Sequence, residues 1–254
     1  MKIATWNVNS LNVRLPHVLQ WLKAEQPDVL GLQETKLIDD KFPHADFENL
    51  GYHTMCCGQK TYNGVAIASR KPLANAVRAL PDFDDTQCRV LAGTIDGVRV
   101  INVYVPNGQT VGLEKYRYKL AWLDALRHWL QVELDEYPEL AIVGDFNIAP
   151  EPRDVHDPAE WEGKVLFSEP ERAAFRALLG LGLKDSFRLF EQPEGSFSWW
   201  DYRAGSFRRD RGLRIDHVLA SDALAARCRS VAIDREPRGW ERPSDHAPVM
   251  ADFK

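Results

Sequence analysis

Acids and amides placed where apolar runs end are the part of this sequence able to do chemistry. In "ELAIVGDFNIAP", residues 139 to 150, the run Leu140, Ala141, Ile142 and Val143 leads straight to Asp145 and Asn147. A continuous apolar run reads as a strand buried on both faces. Strand side chains alternate, so an extended course through Phe146 puts Asp145 and Asn147 on one side. Gly, Asp and Asn also favour a turn, so this stretch alone does not decide. The pattern recurs: Asn7 follows "IATW", Glu34 follows "VLGLQ", Tyr104 lies in "INVYVPNG", Asp216 in "LRIDHV", and Asp245 with His246 in "PSDHAPV". Singly, each has a structural reading: an asparagine bonded to turn backbone, a capping glutamate, a buried tyrosine, a surface Asp–His pair. Together they are hard to scatter, because unpaired charge at the end of a buried strand is expensive. One shared cleft accounts for all of them.

Carboxylates and amides without a cysteine cluster or HExxH make a hard-oxygen site, which suits Mg²⁺ or Mn²⁺ better than zinc. The chain has no GxxxxGK[ST] and no GxSxG, which removes the Walker-type NTPases and the serine nucleophile elbow. A metal, acids and an imidazole suit hydrolysis of a phosphate ester.

The elements that must position these groups follow from periodicity. "KIATWN" and "PDVLGLQE" read as strands, with Leu15, Val18, Leu19 and Leu22 at helical spacing between them, Asn12 as a candidate cap and Pro16 near the start. "NGVAIAS", "CRVLAGTI" and "VRVINVYV" read as further strands, the last two joined by a hairpin at Asp96-Gly97. A long helix carries Leu120, Leu123, Leu130 and Leu134 on one face, and "SEPE" at Ser168–Glu171 opens another that ends near Gly180. "GSFSWW", "LRIDHVLAS" and "APVMADF" are late strand candidates. "PDVLGLQE" and "PELAIVGDFN" echo each other, each running from Pro plus an acid through apolar residues to an acid. Two such halves predict a four-layer α/β/β/α sandwich of two packed mixed β-sheets flanked by helices, in one domain spanning 1–254.

At 254 residues the chain needs no disulfides to complete its core. Its four cysteines form no CxxC, the first residues lack a secretory pattern, and no apolar run approaches the roughly 20 residues of a membrane span. A reduced, cytoplasmic, monomeric protein away from membranes is expected. A net charge of −5 argues against coating nucleic acid by bulk electrostatics. Local contact stays open, because "RAGSFRRDRGLR", residues 203 to 214, gathers five arginines against one acid with Phe207 among them. A solvated loop is the other reading of that stretch.

"WNVNSL", "LQETK", "YVPNG", "GDFNIAP", "LRIDHVLAS" and "PSDHAPV", in this order over nearly the whole chain, resemble the endonuclease/exonuclease/phosphatase superfamily, and within it the exonuclease III group of abasic-site (AP) endonucleases. "GQK" at Gly58–Lys60 and "SWWDYR" at Ser198–Arg203 extend the resemblance. It implies a deoxyribonuclease I-like fold and a Mg²⁺-dependent DNA repair nuclease acting on double-stranded DNA at abasic sites and 3′ ends, with 3′-phosphatase activity and Mn²⁺ as a substitute metal. It further implies Glu34 as principal metal ligand, with Asn7, Asp145, Asn147, Asp245 and His246 around the same metal and phosphate. Asp145 is expected to act at the reacting oxygens, Asn147 to stabilise the transition state, Tyr104 to contact the scissile phosphate, and Asp216 to orient His246. Trp199 matches the aromatic bordering the abasic-sugar pocket, and Arg208, Arg209 and Arg211 are the candidate DNA-binding arginines. The polar segment from Asp154 to Trp161, with His156, departs from the matched motifs and reads either as a surface loop or as part of the DNA wall. A relative acting on an inositol phosphate, sphingomyelin or unselected DNA, and a catalytically silent nucleic-acid-binding module, are the competing functions.

Overall fold

The runs around "IATW", "VLGLQ", "INVY" and "LAIVGD" become inner strands in the computed structural model, which describes residues 1–254. The strands are β1 (Lys2–Asn7), β2 (Val29–Gln33), β3 (His53–Cys57), β4 (Val65–Ser69), β5 (Ala74–Val77), β6 (Val90–Ile95), β7 (Val98–Tyr104), β8 (Leu140–Asp145), β9 (Leu183–Asp185), β10 (Asp216–Ser221), β11 (Cys228–Ile233) and β12 (Val249–Phe253). The α-helices are α1 (Leu11–Glu25), α2 (His44–Glu48), α3 (Glu114–Glu136), α4 (Pro158–Trp161), α5 (Glu169–Leu179) and α6 (Asp222–Ala225). Two six-stranded sheets form, in the orders β11-β12-β1-β2-β4-β3 and β5-β6-β7-β8-β10-β9.

The sheets pack face to face over Ile3, Val29, Ile67, Val100, Val143 and Val218. The outer face of the first is covered by α1 through Val18, Trp21 and Leu22, and that of the second by α3 and α5 through Trp122, Leu126, Leu130 and Phe175. This is the four-layer sandwich expected from the echo. Its core repeats one unit: β1 and β2 are parallel across α1, and β7 and β8 are parallel across α3. The sequence halves are not cleanly divided between sheets, however. The last two strands return to the first sheet, β12 pairing antiparallel with β1. That return carries Asp245 and His246 beside Asn7.

Local details mostly match the sequence. Asp96 and Gly97 both have positive φ, 51° and 85°, as a two-residue type I′ hairpin requires. Ser168 and Glu171 make the reciprocal capping box of α5. Two expectations fail. The N-cap of α1 is Ser10, without a side-chain cap bond, and Asn12 lies exposed in the first turn. "GSFSWW" forms no strand: Trp199 makes only isolated bridges to Leu213 and His246, so the segment knits loops together instead of joining a ladder.

A buried polar layer ties the sheets together beneath their ends. Gln33 Nε2 donates to Thr5 Oγ1 (2.8 Å) and Asn102 Oδ1 (2.6 Å), while Asn102 Nδ2 donates to the carbonyls of Leu32 and Ala66 (2.9 Å each). Thr5 and Asn102 each lie two residues before a site residue, Asn7 and Tyr104, and therefore on the same face of their strands. Gly144 is equally constrained. A Cβ there would lie 1.9 Å from the carbonyl oxygen of Val103, so only glycine lets β8 reach Asp145 alongside β7.

Candidate active site

The strand ends of both sheets converge. Asn7 Nδ2 donates to Glu34 Oε1 and to Asp145 Oδ2, at 2.9 Å each, joining the first sheet to the second. Tyr104 donates its hydroxyl to Glu34 Oε1 at 2.9 Å, and Lys36 Nζ lies 2.9 Å from Glu34 Oε2. Asp145 Oδ1 accepts the backbone N–H of Asn147 at 2.9 Å, which draws the chain after β8 into a tight bend with Asn147 at φ 50°. Asn147 thus follows a turn, yet its amide stays beside Asp145, with Nδ2 3.3 Å from Oδ2. The turn reading of "GDFN" is therefore met, and the turn, not an extended course, keeps the two side chains together.

On the far side of Asp145, His246 Nδ1 donates to Asp216 Oδ2 at 2.9 Å, and Nε2 faces Asp145 Oδ2 at 3.8 Å. Asp216 is fixed in turn by Ser198 Oγ at 2.7 Å. Ser198 Oγ also accepts the backbone N–H groups of Ile215 and Asp216. Asp245 takes no part in this pair, accepting from Trp199 Nε1 and Asn9 Nδ2 at 3.0 Å each. The structure therefore brings together Asn7, Glu34, Tyr104, Asp145, Asn147, Asp216 and His246, and puts Asp245 with Trp199 on the adjoining wall.

Electrostatics separate the roles these groups can take. For His246, burial works to lower the pKa, but Asp216 and Asp145 outweigh it and raise it to about 10. The ring is a cation at neutral pH, with Nδ1 donating to Asp216 and a protonated Nε2 facing Asp145. Burial, reinforced by the Asp216 charge and opposed by His246, pushes Asp145 up to about 7. Burial also works to raise Glu34, yet Lys36 and the Asn7 amide hold it below the usual carboxylate range. Tyr104 is driven well above its ordinary value by burial and by Glu34 and Asp145, so it remains a neutral donor.

A divalent cation needs oxygen ligands that are free to bind it. Asp145, Asp216 and His246 place ligand-type atoms within 4.8 Å of one another. Within that trio Asp216 is taken up by His246 and Ser198, and an imidazolium cannot ligate. Glu34 is the better position. A carboxylate offers about four lone-pair sites, of which Asn7, Tyr104 and Lys36 take three, leaving one on the partly exposed Oε2 side. With Asp145 behind it and no thiolate among these groups, the site fits a hard ion such as Mg²⁺.

The arginine-rich stretch divides. Arg214 is buried, its guanidinium held by Asp154 (2.7 Å) and Asp185 (2.7 Å), so it belongs to the interior and not to a basic surface. Arg211 is paired with Glu160 at 2.5 Å and bonds His156 Nε2 at 3.1 Å, linking it to the 154–161 segment. Arg208 and Arg209 are exposed and form no ion pair. Across the site from Trp199, a cleft of about 440 Å³ runs from Tyr104 and Asn107 to Arg89, Lys115 and Tyr62. Lys36, Asn107 and Ser198 carry no sequence signal of their own, although "LQETK", "YVPNG" and "SWWDYR" contain them. Only the fold puts Lys36 on Glu34, Asn107 on Asn147 (2.9 Å) and Ser198 under Asp216.

A nuclease-type constellation on this four-layer scaffold defines a class of phosphoesterase, and comparison with known proteins agrees. Residues 4–246 match the Endonuclease/Exonuclease/phosphatase family, and the chain belongs to it. It is 40% identical to exodeoxyribonuclease III of Haemophilus influenzae, over all of both chains. Among solved structures it is similar to a 3′ phosphatase from Neisseria bound to a product DNA hairpin, with 49% identity and a TM-score of 0.98 over 100% of this chain and 99% of that one. An AP endonuclease from Archaeoglobus fulgidus matches with 42% identity and a TM-score of 0.96, over 100% of this chain and 99% of that one. No helix is long and apolar enough to cross a membrane.

Proposed function

We propose that this protein is a metal-dependent DNA repair nuclease that hydrolyses phosphodiesters and phosphomonoesters at 3′ ends and at abasic sites of duplex DNA. The observation that carries this reading is the convergence of Asn7, Glu34, Tyr104, Asp145, Asn147, Asp216 and His246 from both sheets, with Trp199 on one side and the Arg89–Lys115 cleft on the other. Names carried by similar proteins, an exodeoxyribonuclease III, a 3′ phosphatase and an AP endonuclease, support DNA as the substrate.

Glu34 and Asp145 would hold Mg²⁺, with Mn²⁺ as a substitute, and Asn7, Asn147, Asp245 and His246 would surround the same metal and phosphate. Bound there, the ion supplies charge stabilisation to a phosphoryl oxygen. The rest falls to the chain. Phosphoryl transfer chiefly needs positioning and stabilisation of spreading negative charge. As a cation, His246 clamps a phosphoryl oxygen through Nε2, and Asp216 keeps it charged and oriented. Neutral Tyr104 and the Asn147 amide are donors for the remaining oxygens. Asp145, fixed by the Asn147 N–H and the Asn7 amide, acts at the reacting oxygens. Arg208 and Arg209 contact DNA phosphates, and Trp199 borders the sugar at the cut. The segment from Asp154 to Trp161, joined to Arg211 through His156 and Glu160, tunes the balance between abasic-site incision and 3′-end removal. The whole span 1–254 acts as one monomeric catalytic domain in the cytoplasm.

The test is a panel of duplexes carrying one abasic analogue, an intact end, a recessed 3′ end or a 3′-phosphate, each assayed with Mg²⁺ and with EDTA. Cleavage of the abasic and 3′-end substrates, lost in EDTA and restored by Mg²⁺ or Mn²⁺, is expected, and Glu34→Ala should be nearly inactive while folded. Full activity in chelator, or turnover confined to inositol phosphates or sphingomyelin, would overturn the reading.

A further inference from the structure

One buried charge serves the site from behind. Lys119 of α3 is wholly buried, and its ammonium spends its three donors on Glu171 of α5, the carbonyl of Asn147 (2.7 Å) and the carbonyl of Asn107 (3.2 Å). In front of it the side chains of those same two asparagines meet, Asn107 Nδ2 donating to Asn147 Oδ1 at 2.9 Å. Asn147 Nδ2 then bonds the Val105 carbonyl (3.0 Å) and reaches Asp145. The two loops that leave β7 and β8 are therefore clamped twice, once through their backbones by Lys119 and once through their side chains.

A buried lysine has high desolvation cost, and burial does pull the Lys119 pKa down, with Glu171 working against it. Glu171 is itself built in. It accepts the backbone N–H groups of Leu166 and Ser168, at 3.1 Å each, and the Ser168 hydroxyl, as the capping box of α5. Pairs of this kind are poor stabilisers, since a well-packed apolar pair does as well. What an apolar pair cannot do is hold two carbonyls from different loops at one point. Asn147 also sits at a positive φ of 50°, a left-handed backbone state that asparagine adopts more readily than most residues.

We propose that Lys119 is a positioning residue that fixes Asn107 and Asn147 for the scissile phosphate, with Glu171 as its counter-ion. The proposal rests on the role given to Asn147 above.

Stability and turnover separate the positioning role from a structural one. Lys119→Met leaves Glu171 buried without its partner and lowers the melting temperature. Lys119→Met/Glu171→Gln removes both charges and recovers most of that loss. Turnover per folded enzyme on a 3′-phosphate duplex should fall by about tenfold or more in both variants, with KM changed much less, because small misplacement of a reacting group costs on this scale. Lys119→Gln, one bond shorter and still able to bond Glu171, serves if the methionine variants do not fold, and should show the same loss of kcat. Wild-type kcat in the stable double variant or in Lys119→Gln, with Asn147→Ala inactive, would overturn the positioning role alone. Wild-type kcat in Asn147→Ala would overturn the role of Asn147 and this proposal together.

Discussion

The dipeptide Asp-His occurs twice, at 216–217 and at 245–246, and the four side chains have different fates. Neighbours on a strand point to opposite faces, which parts Asp216 from His217 on β10, and in the loop before β12 Asp245 and His246 likewise find different partners. Asp216 pairs across thirty positions with His246, and Asp245 turns to Trp199 and Asn9. His217 points to the other face of β10, against Phe146 and Phe175. Both histidines are buried, yet their charge states are opposed. His246 faces two carboxylates and is raised to about 10, whereas burial and the Arg214 guanidinium lower His217 to about 4. His217 is satisfied as a neutral ring, Nδ1 accepting from Arg214 (3.0 Å) and Nε2 donating to the Ile148 carbonyl (2.9 Å). The same dipeptide thus yields one histidine held as a cation among carboxylates and one held neutral as a structural pin, and the sign of the facing charge decides which.

The largest effect expected from this contrast is on turnover. His246→Asn should cost orders of magnitude in kcat on a 3′-phosphate or abasic duplex, while His217→Gln stays within a few-fold of wild type. Comparable losses in both would erase the distinction.

Stability should respond in the reverse order. Arg214 sits between Asp154 and Asp185 as the cation of a closed buried network that also contains His217. Arg214→Met leaves those carboxylates buried with only Arg188 beside Asp154, and should cost about 3–5 kcal/mol in urea denaturation. A change below about 1 kcal/mol would show that the network relaxes freely.

His217 also sets a pH dependence. Its folded pKa of about 4 lies below the ordinary 6.5. Between these values the unfolded chain binds a proton that the folded chain refuses, so this contribution to stability is complete above pH 6.5 and is lost as pH falls towards 4. In urea midpoints taken across that range, His217→Gln should lose less stability on acidification than wild type. Parallel pH curves would mean that His217 does not titrate as described.

The smallest effect concerns the arginines outside the network. Neutralising Arg208 and Arg209 together should weaken DNA binding and reduce the slope of log K against log salt by about 1 for each phosphate that no longer meets an arginine. Neutralising Arg211, already paired with Glu160, should change it less. Equal slopes in all variants would return Arg208 and Arg209 to the solvated-loop reading.

These contrasts also mark what was legible in the sequence. Strand ends were, because the apolar runs of β2 and β8 deliver Glu34 and Asp145, which singly have structural readings but with the other strand-end groups point to one cleft, and the echo between those runs foreshadowed two sheets. The return of β12 to the first sheet was not, since nothing local in "APVMADF" says which strand it will pair with. The arginine-rich stretch misled for a related reason. Arg214 looks like its neighbours until Asp154 and Asp185, 60 and 29 positions away, are folded onto it. Lys119 was invisible in the same way. On α3 it reads as one more polar residue, and only the packing of α5 and two loops around it gives its ammonium three partners.

The central claim, that side chains from separate strand ends work as one phosphate site, is tested most directly by a double-mutant cycle on Asp216 and His246. Turnover is measured for wild type, Asp216→Asn, His246→Asn and the double variant, with folding and DNA binding checked in each. If Asp216 acts by orienting and charging His246, the double variant is hardly slower than the worse single variant, because residues acting as a unit are not additive. Losses that multiply in folded, DNA-binding variants would contradict the pairing and with it the single shared site.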